Sequence, residues 1–233
     1  MPGIATRRDR DRSPLGVLAT IVRVLLYVVL GGLVVLALSE LPPFAGWLAG
    51  IGGEMPQVGL VAGHWQNDSG AVCPDGLQEV DVNLAVARRV AALFREEGYR
   101  VEVLPEYAPK LVGYRAAAFV SIHSDSCVGG FSGFKVAHHA DADPLGPAGR
   151  LAATLSQAYA EETGLSPHPD TITDDMRHYH ALRKIAPDTP GVIIECGFLS
   201  DDRELLTQEQ DRVARGIANG VIAFLQAEET APH

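Results

Sequence analysis

Four residues of this chain have side chains that together could carry out hydrolysis: His64, Glu79, His123 and Glu195. The first three supply two imidazoles and a carboxylate, a donor set that suits zinc and leaves one position of its tetrahedron open. Catalytic zinc sites keep such an opening, whereas structural sites are closed by four protein ligands. Zinc lowers the pKa of a bound water to about 7 and polarises a carbonyl, while a nearby carboxylate can take the water proton and pass it to a leaving nitrogen. Glu195 suits that last role. It closes the apolar run Val192-Ile193-Ile194, where a carboxylate is costly to bury without a cation or a proton. The intervals between the four are long, and by spacing alone the histidines read equally as hydrogen-bonded groups at strand ends.

Elements that would bring these residues together can be read from periodicity. Val58 to Ala62 is a short apolar run ending at Gly63, followed by a polar loop to Gln78. The stretch VDVNLAVARRVAALFREEG then places Leu84, Val90, Leu93 and Phe94 at helical spacing, with Gly98 as its stop. Strands are expected at 100–104, 117–123 and 134–139, a helix from about Gly149 to Thr163, a further strand at 191–195 and a final helix from about Gln208 to Gln226. This alternation predicts an α/β fold: a single domain with a mostly parallel or mixed sheet and helices on both faces. Ligands bind beyond the carboxyl ends of the strands in such sheets, and His64, His123 and Glu195 each fall at or just after a strand end. Glu79 opens the first helix, which begins on the same rim.

The remaining features bound the setting. With 47% hydrophobic and 21% charged residues, the 233-residue chain can build a sizeable core. A formal net charge of -10 argues against a nucleic-acid partner. The three cysteines show no Cys-x-x-Cys pair, so a metal must use histidine and carboxylate. Residues 1–13 form a basic N-terminus with Arg7, Arg8, Arg10 and Arg12, and 14–39 are expected to be a transmembrane signal-anchor. A linker over 40–57, a catalytic domain over 58–228 and a tail over 229–233 complete the expected organisation. The arginines before the apolar segment keep the N-terminus cytoplasmic and place the domain outside the cell membrane; cleavage near Ala37-Leu38-Ser39, releasing a secreted protein, is the alternative.

In order along the chain, GLVAGHW, GLQEVDVNLAVARRV, FVSIHSD and GVIIECGFLSDDRE resemble the zinc-dependent N-acetylmuramoyl-L-alanine amidases of the amidase-3 family. The resemblance covers about Val58 to Leu225. It implies that His64, Glu79 and His123 bind zinc, that Glu195 is the catalytic carboxylate, and that the substrate is the amide joining N-acetylmuramic acid to L-alanine in peptidoglycan. A non-catalytic wall-binding domain of the same fold and a zinc hydrolase of another amide are the alternatives. The chain departs from the family pattern at Gly63-His64-Trp65-Gln66, where GHGG is usual, and at Ser124-Asp125, where Ala-Asn is usual. The link from Leu104 to Ala117 is also shorter than usual and lacks an Arg-containing helix.

Cys73 and Cys127 flank the expected metal ligands, so in an oxidising compartment they form a disulfide or else remain two free thiols. Cys196 reads as a small core residue. His138 and His139, ending a strand, could reach substrate, while His168, His178 and His180 lie in a polar region that could form a flap beside the cleft, and surface histidines are the alternative for all five. The stretch DTITDDMRHYHALRK could supply a regulatory or substrate-gripping element. An activating protein partner is not identifiable from sequence.

Overall fold

The computed structural model describes residues 14–39 and 57–230. The basic segment 1–13, the linker expected over 40–57 except Gln57, and residues 231–233 of the tail expected over 229–233 lie outside the described residues; Gln57 opens a strand, and residues 229 and 230 continue the last helix. Two compact units are present, residues 1–54 and 55–233.

In the first unit a helix, α1, runs from Pro14 to Ser39, its large described apolar side chains from Val17 to Leu30 about half exposed or more. Among the described residues no helix is long and apolar enough to cross a membrane, so the spanning helix expected over 14–39 is not supported there.

The second unit is the α/β domain. Its strands are β1 (Gln57–Ala62), β2 (Arg100–Leu104), β3 (Ala118–Asp125), β4 (Lys135–His138) and β5 (Gly191–Phe198). They form one sheet in the order β2-β1-β3-β5-β4, parallel throughout except for antiparallel β4. The helices are α2 (Glu79–Glu96), α3 (Pro147–Thr163), the short α4 (Asp174–Arg177) and α5 (His180–Lys184), then α6 (Arg203–Gln208) and α7 (Gln210–Thr230).

Central β1, β3 and β5 are buried along nearly their whole length because both faces of the sheet are covered. Val58, Leu60, Val120, Ile122, Val192 and Ile194 point to a larger core, which they share with α2, α3 and α7 through Val90, Phe94, Leu155, Tyr159, Ile217 and Phe224. The alternate residues Val61, Phe119 and Ile193 point to a second, smaller core closed by Leu111, Tyr114, Ala181 and Leu182. The period-2 alternation of the pleat thus divides each strand between two layers. The short link after β2 holds only a single 3₁₀ turn, Pro109–Leu111, and this turn together with α4 and α5 makes up the second layer.

Gly59 and Gly63 lie where a side chain will not fit. A Cβ at Gly59 would sit 2.5 Å from the Tyr114 ring, and one at Gly63 would sit 2.4 Å from the His123 ring.

Candidate functional site

β1, β3 and β5 run in the same direction, so their carboxyl ends share one rim. His64 follows β1, His123 lies near the end of β3, and register pairing sets Glu195 of β5 directly beside His123. α2 returns from the loop after β1 and delivers Glu79 at its first position. Ligand atoms of His64, Glu79 and His123 all lie within 4.8 Å of one another, an arrangement that could hold a metal ion.

The donor geometry fits a small cation. Glu79 Oε1 is 3.2 Å from His64 Nε2 and 3.2 Å from His123 Nδ1. Tetrahedral zinc with bonds of about 2.0–2.1 Å holds its ligand atoms roughly 3.3 Å apart. Backbone and side-chain donors fix the Glu79 carboxylate: Ala71 N–H donates to Oε2 at 3.0 Å, while Asn83 Nδ2 at 3.0 Å and Ser124 N–H at 3.3 Å donate to Oε1. Burial pushes this carboxyl up, but the hydrogen bonds from His123 and His64 outweigh it and hold Glu79 well below the usual carboxylate range. Hydrogen bonding to Glu79 in turn raises His64 to about 9.

Glu195 is different. Its Oε2 is buried with no hydrogen-bond partner. Burial raises this carboxyl to about 7, with the His123 charge pulling it down and the charges of Glu79 and Asp125 pushing it up. Register pairing also puts Lys135 of β4 across from Glu195, and the Lys135 ammonium is ion-paired to Asp125. A carboxylate near neutral pKa beside a two-histidine, one-carboxylate cluster can accept a proton from water and return it.

Two residues of the loop after β1 hold left-handed backbone, His64 at φ 66° and Gln66 at φ 60°. Such a conformation costs about 1–2 kcal/mol for a residue with a Cβ. At His64 it is held by the Glu106 carboxylate, which accepts the His64 backbone N–H at 2.9 Å, and by Asp68, whose Oδ1 meets Nδ1 at 2.5 Å. Position 66 is one where the family pattern has glycine, and this chain places a glutamine there in left-handed backbone.

Glu106 was not among the candidate residues read from the sequence, and Tyr179 and His180 were read only as part of a segment that could lie beside the cleft. Glu106 is buried two residues beyond β2 and gathers three donors from two segments: the His64 backbone from one, and the Tyr179 hydroxyl at 2.6 Å and His180 Nε2 at 2.7 Å from the other. Burial pushes Glu106 up, but the hydrogen bond from His180 and the nearby His123 charge pull it down to about 2. The rule that picked out His64, that polar residues just past a strand end face the rim, applies to Glu106 as well. His180 is therefore not a surface histidine, its side chain being 14% exposed. His168 is also partly buried, bonded to Thr171 and packed against Phe131 and Phe198.

His138 and His139 do not belong to this rim. β4 is antiparallel, so its first residue, Lys135, pairs with Glu195, while His138 pairs with Val192 toward the opposite edge of the sheet. Cys73 and Cys127 are joined as a disulfide that ties the loop after β1 to the segment after β3, with Cα atoms 5.5 Å apart. Cys196 is buried in the core, and its carbonyl accepts the Tyr159 hydroxyl at 2.6 Å.

A sheet covered on both faces, with His, Glu and His converging at its carboxyl rim beside a raised carboxyl, is an arrangement suited to hydrolysis in an α/β enzyme and could hold a metal ion. Comparison with known proteins narrows this class. Residues 58–223 match the Amidase_3 family, described as N-acetylmuramoyl-L-alanine amidase. The chain belongs to that family. AmiC, an N-acetylmuramoyl-L-alanine amidase of Neisseria meningitidis serogroup B, is 29% identical over 227 residues, covering 76% of this chain and 54% of AmiC. The chain thus spans about half the length of that relative. Among solved structures, the amidase AmiC2 of Nostoc punctiforme superposes with a TM-score of 0.57 at 27% identity, covering 75% of this chain and 98% of its own. The catalytic domain of CwlV, an amidase from Paenibacillus polymyxa, does so at 0.57 and 26% identity, with 74% and 99% covered.

Proposed function

We infer that the chain is a zinc-dependent N-acetylmuramoyl-L-alanine amidase that cleaves the amide between the lactyl group of N-acetylmuramic acid and the L-alanine of the peptidoglycan stem. The observation that carries this reading is the convergence of His64, Glu79 and His123 to within 4.8 Å, with Glu195 next to His123 across the sheet, in a member of this family. His64 Nε2, Glu79 Oε1 and His123 Nδ1 are the atoms that would hold the metal. A zinc ion there supplies Lewis acidity toward the scissile carbonyl and acidifies water. Glu195 takes a proton from the attacking water and delivers it to the departing L-alanine nitrogen. Its buried, unpartnered Oε2 suits that task, since no competing hydrogen bond ties up the lone pairs that receive the proton.

Peptidoglycan lies outside the cytoplasmic membrane, so the domain works there. Retention of the full chain in the membrane pellet indicates an anchor, release into the medium indicates cleavage, and recovery in the cytosol would contradict both.

The test of the activity is product analysis. Full-length protein incubated with purified peptidoglycan and zinc should release stem peptides with a free L-alanine amino terminus, read by mass spectrometry. Products cut elsewhere, within the stem or the glycan, would overturn the assignment of the bond. Chelation should abolish release and zinc should restore it.

A further inference from the structure

We propose that Glu106 is a positioning residue for both histidines of the metal site, acting on His64 through its backbone and on His123 through Tyr179. This rests on the zinc reading given above.

The argument begins with His123, whose two ring nitrogens face different partners. Nδ1 lies 3.2 Å from Glu79 Oε1, on the metal side. Nε2 points the other way, 3.2 Å from the Tyr179 hydroxyl and 3.6 Å from Glu106 Oε2. A metal-binding histidine needs its second ring nitrogen protonated and held by an acceptor, because that fixes the tautomer and the ring orientation and raises the basicity of the ligating nitrogen. Tyr179 is that acceptor. Its own hydroxyl proton goes to Glu106 Oε1 at 2.6 Å, and the phenolic oxygen has two lone pairs, one for His123 Nε2 and one for the Ser121 hydroxyl, which donates at 3.0 Å. The chain His123 to Tyr179 to Glu106 therefore runs in one direction, each group donating to the next, and it ends on an ionised carboxylate.

The second arm reaches His64. Glu106 Oε2 accepts the His64 backbone N–H, at the residue held in the left-handed conformation. That backbone geometry determines where the imidazole emerges from the loop, so a single carboxylate fixes the approach of one ligand and the tautomer of the other. His180 Nε2 bonds Glu106 Oε1 at 2.7 Å and stacks on Tyr107, which keeps the carboxylate from rotating away. Glu106 is 4% exposed, so water does not substitute for these contacts.

The test uses the full chain in the Glu106→Gln and Tyr179→Phe variants, with zinc affinity read by competition against a chelating dye. Both variants should weaken zinc, Glu106→Gln by about 10–100-fold and Tyr179→Phe in the same direction, and both should shift the visible spectrum of the cobalt(II)-loaded protein. Thr163→Val is the control for a general structural effect. It removes a buried hydroxyl that bonds the Tyr159 carbonyl and lies apart from the site, so it should lower thermal stability yet leave zinc affinity and the cobalt spectrum unchanged. If Glu106→Gln does not fold, Tyr179→Phe, which keeps the ring, decides. Wild-type affinity and spectrum in Tyr179→Phe would overturn the relay. Zinc loss in Thr163→Val equal to that in Glu106→Gln would reduce Glu106 to a structural role. Failure of the wild type itself to bind zinc would instead bring down the metal reading, and this inference with it.

Discussion

Replacing Gly63 with alanine tests whether His123 must sit where the structure places it. The backbone here is one an alanine can adopt, so the effect is steric. A Cβ at this position would lie 2.4, 2.5 and 2.6 Å from three atoms of the His123 ring, against ordinary contacts of at least about 3.5 Å. The imidazole would have to retreat by about 1 Å, and it is buried on that side with little room to do so. Overpacking of this kind costs about 1–3 kcal/mol. A misplacement of about 1 Å at a reacting centre costs on the order of 100-fold in rate. Gly63→Ala should therefore lose zinc and at least about 100-fold of kcat/KM. Gly76→Ala provides a matched control. Its backbone is left-handed at φ 91°, which costs about 1–2 kcal/mol for alanine, but a Cβ there meets nothing within 4 Å. The two variants should lose comparable stability in urea titration, and only Gly63→Ala should lose zinc, measured by metal analysis after dialysis. Full zinc occupancy and activity in Gly63→Ala would refute the assignment of His123 as a ligand.

Lys135→Met should destabilise the domain by about 3 kcal/mol in urea titration, because Lys135 is buried and its loss leaves Asp125 without its cation; adding Asp125→Asn should recover part of that. Reducing the Cys73–Cys127 disulfide, which closes a loop of sequence separation 54, should lower unfolding free energy by up to about 4 kcal/mol, and an unchanged urea midpoint after reduction would contradict this. The folded chain holds the His64 proton up to about pH 9 against an ordinary 6.5, so its contribution is complete below 6.5 and is lost as pH rises through 9. The melting temperature of the metal-free protein should therefore fall between pH 6.5 and 9, and zinc should flatten that fall by taking the place of the proton.

Much of the frame could be read from the residues. Runs such as Val58–Ala62 and GVIIE mark strands because both faces are buried, RVEVL marks the half-buried edge strand by its alternation, and their boundaries differ from those in the structure by a few residues at most. The rim followed from strand ends alone. The direction of β4 did not, because FKVAHH carries the same local pattern whichever way it pairs, and this misplaced His138 and His139. Glu106 and Tyr179 escaped for another reason. They lie in irregular segments with no period, and what makes them part of the site is a set of contacts between residues 73 positions apart. His64 was legible through its motif, but its left-handed backbone was not, since such backbone favours glycine and here a bond to Glu106, 42 positions away, holds a histidine in it.

The central claim is that His64, Glu79 and His123 hold the metal while Glu195 moves the proton. The most direct measurement is the Glu195→Gln variant, assayed for zinc content and for release of stem peptides from peptidoglycan. The account predicts one zinc per chain, as in the wild type, with release reduced at least about 100-fold. Wild-type release from Glu195→Gln would contradict it.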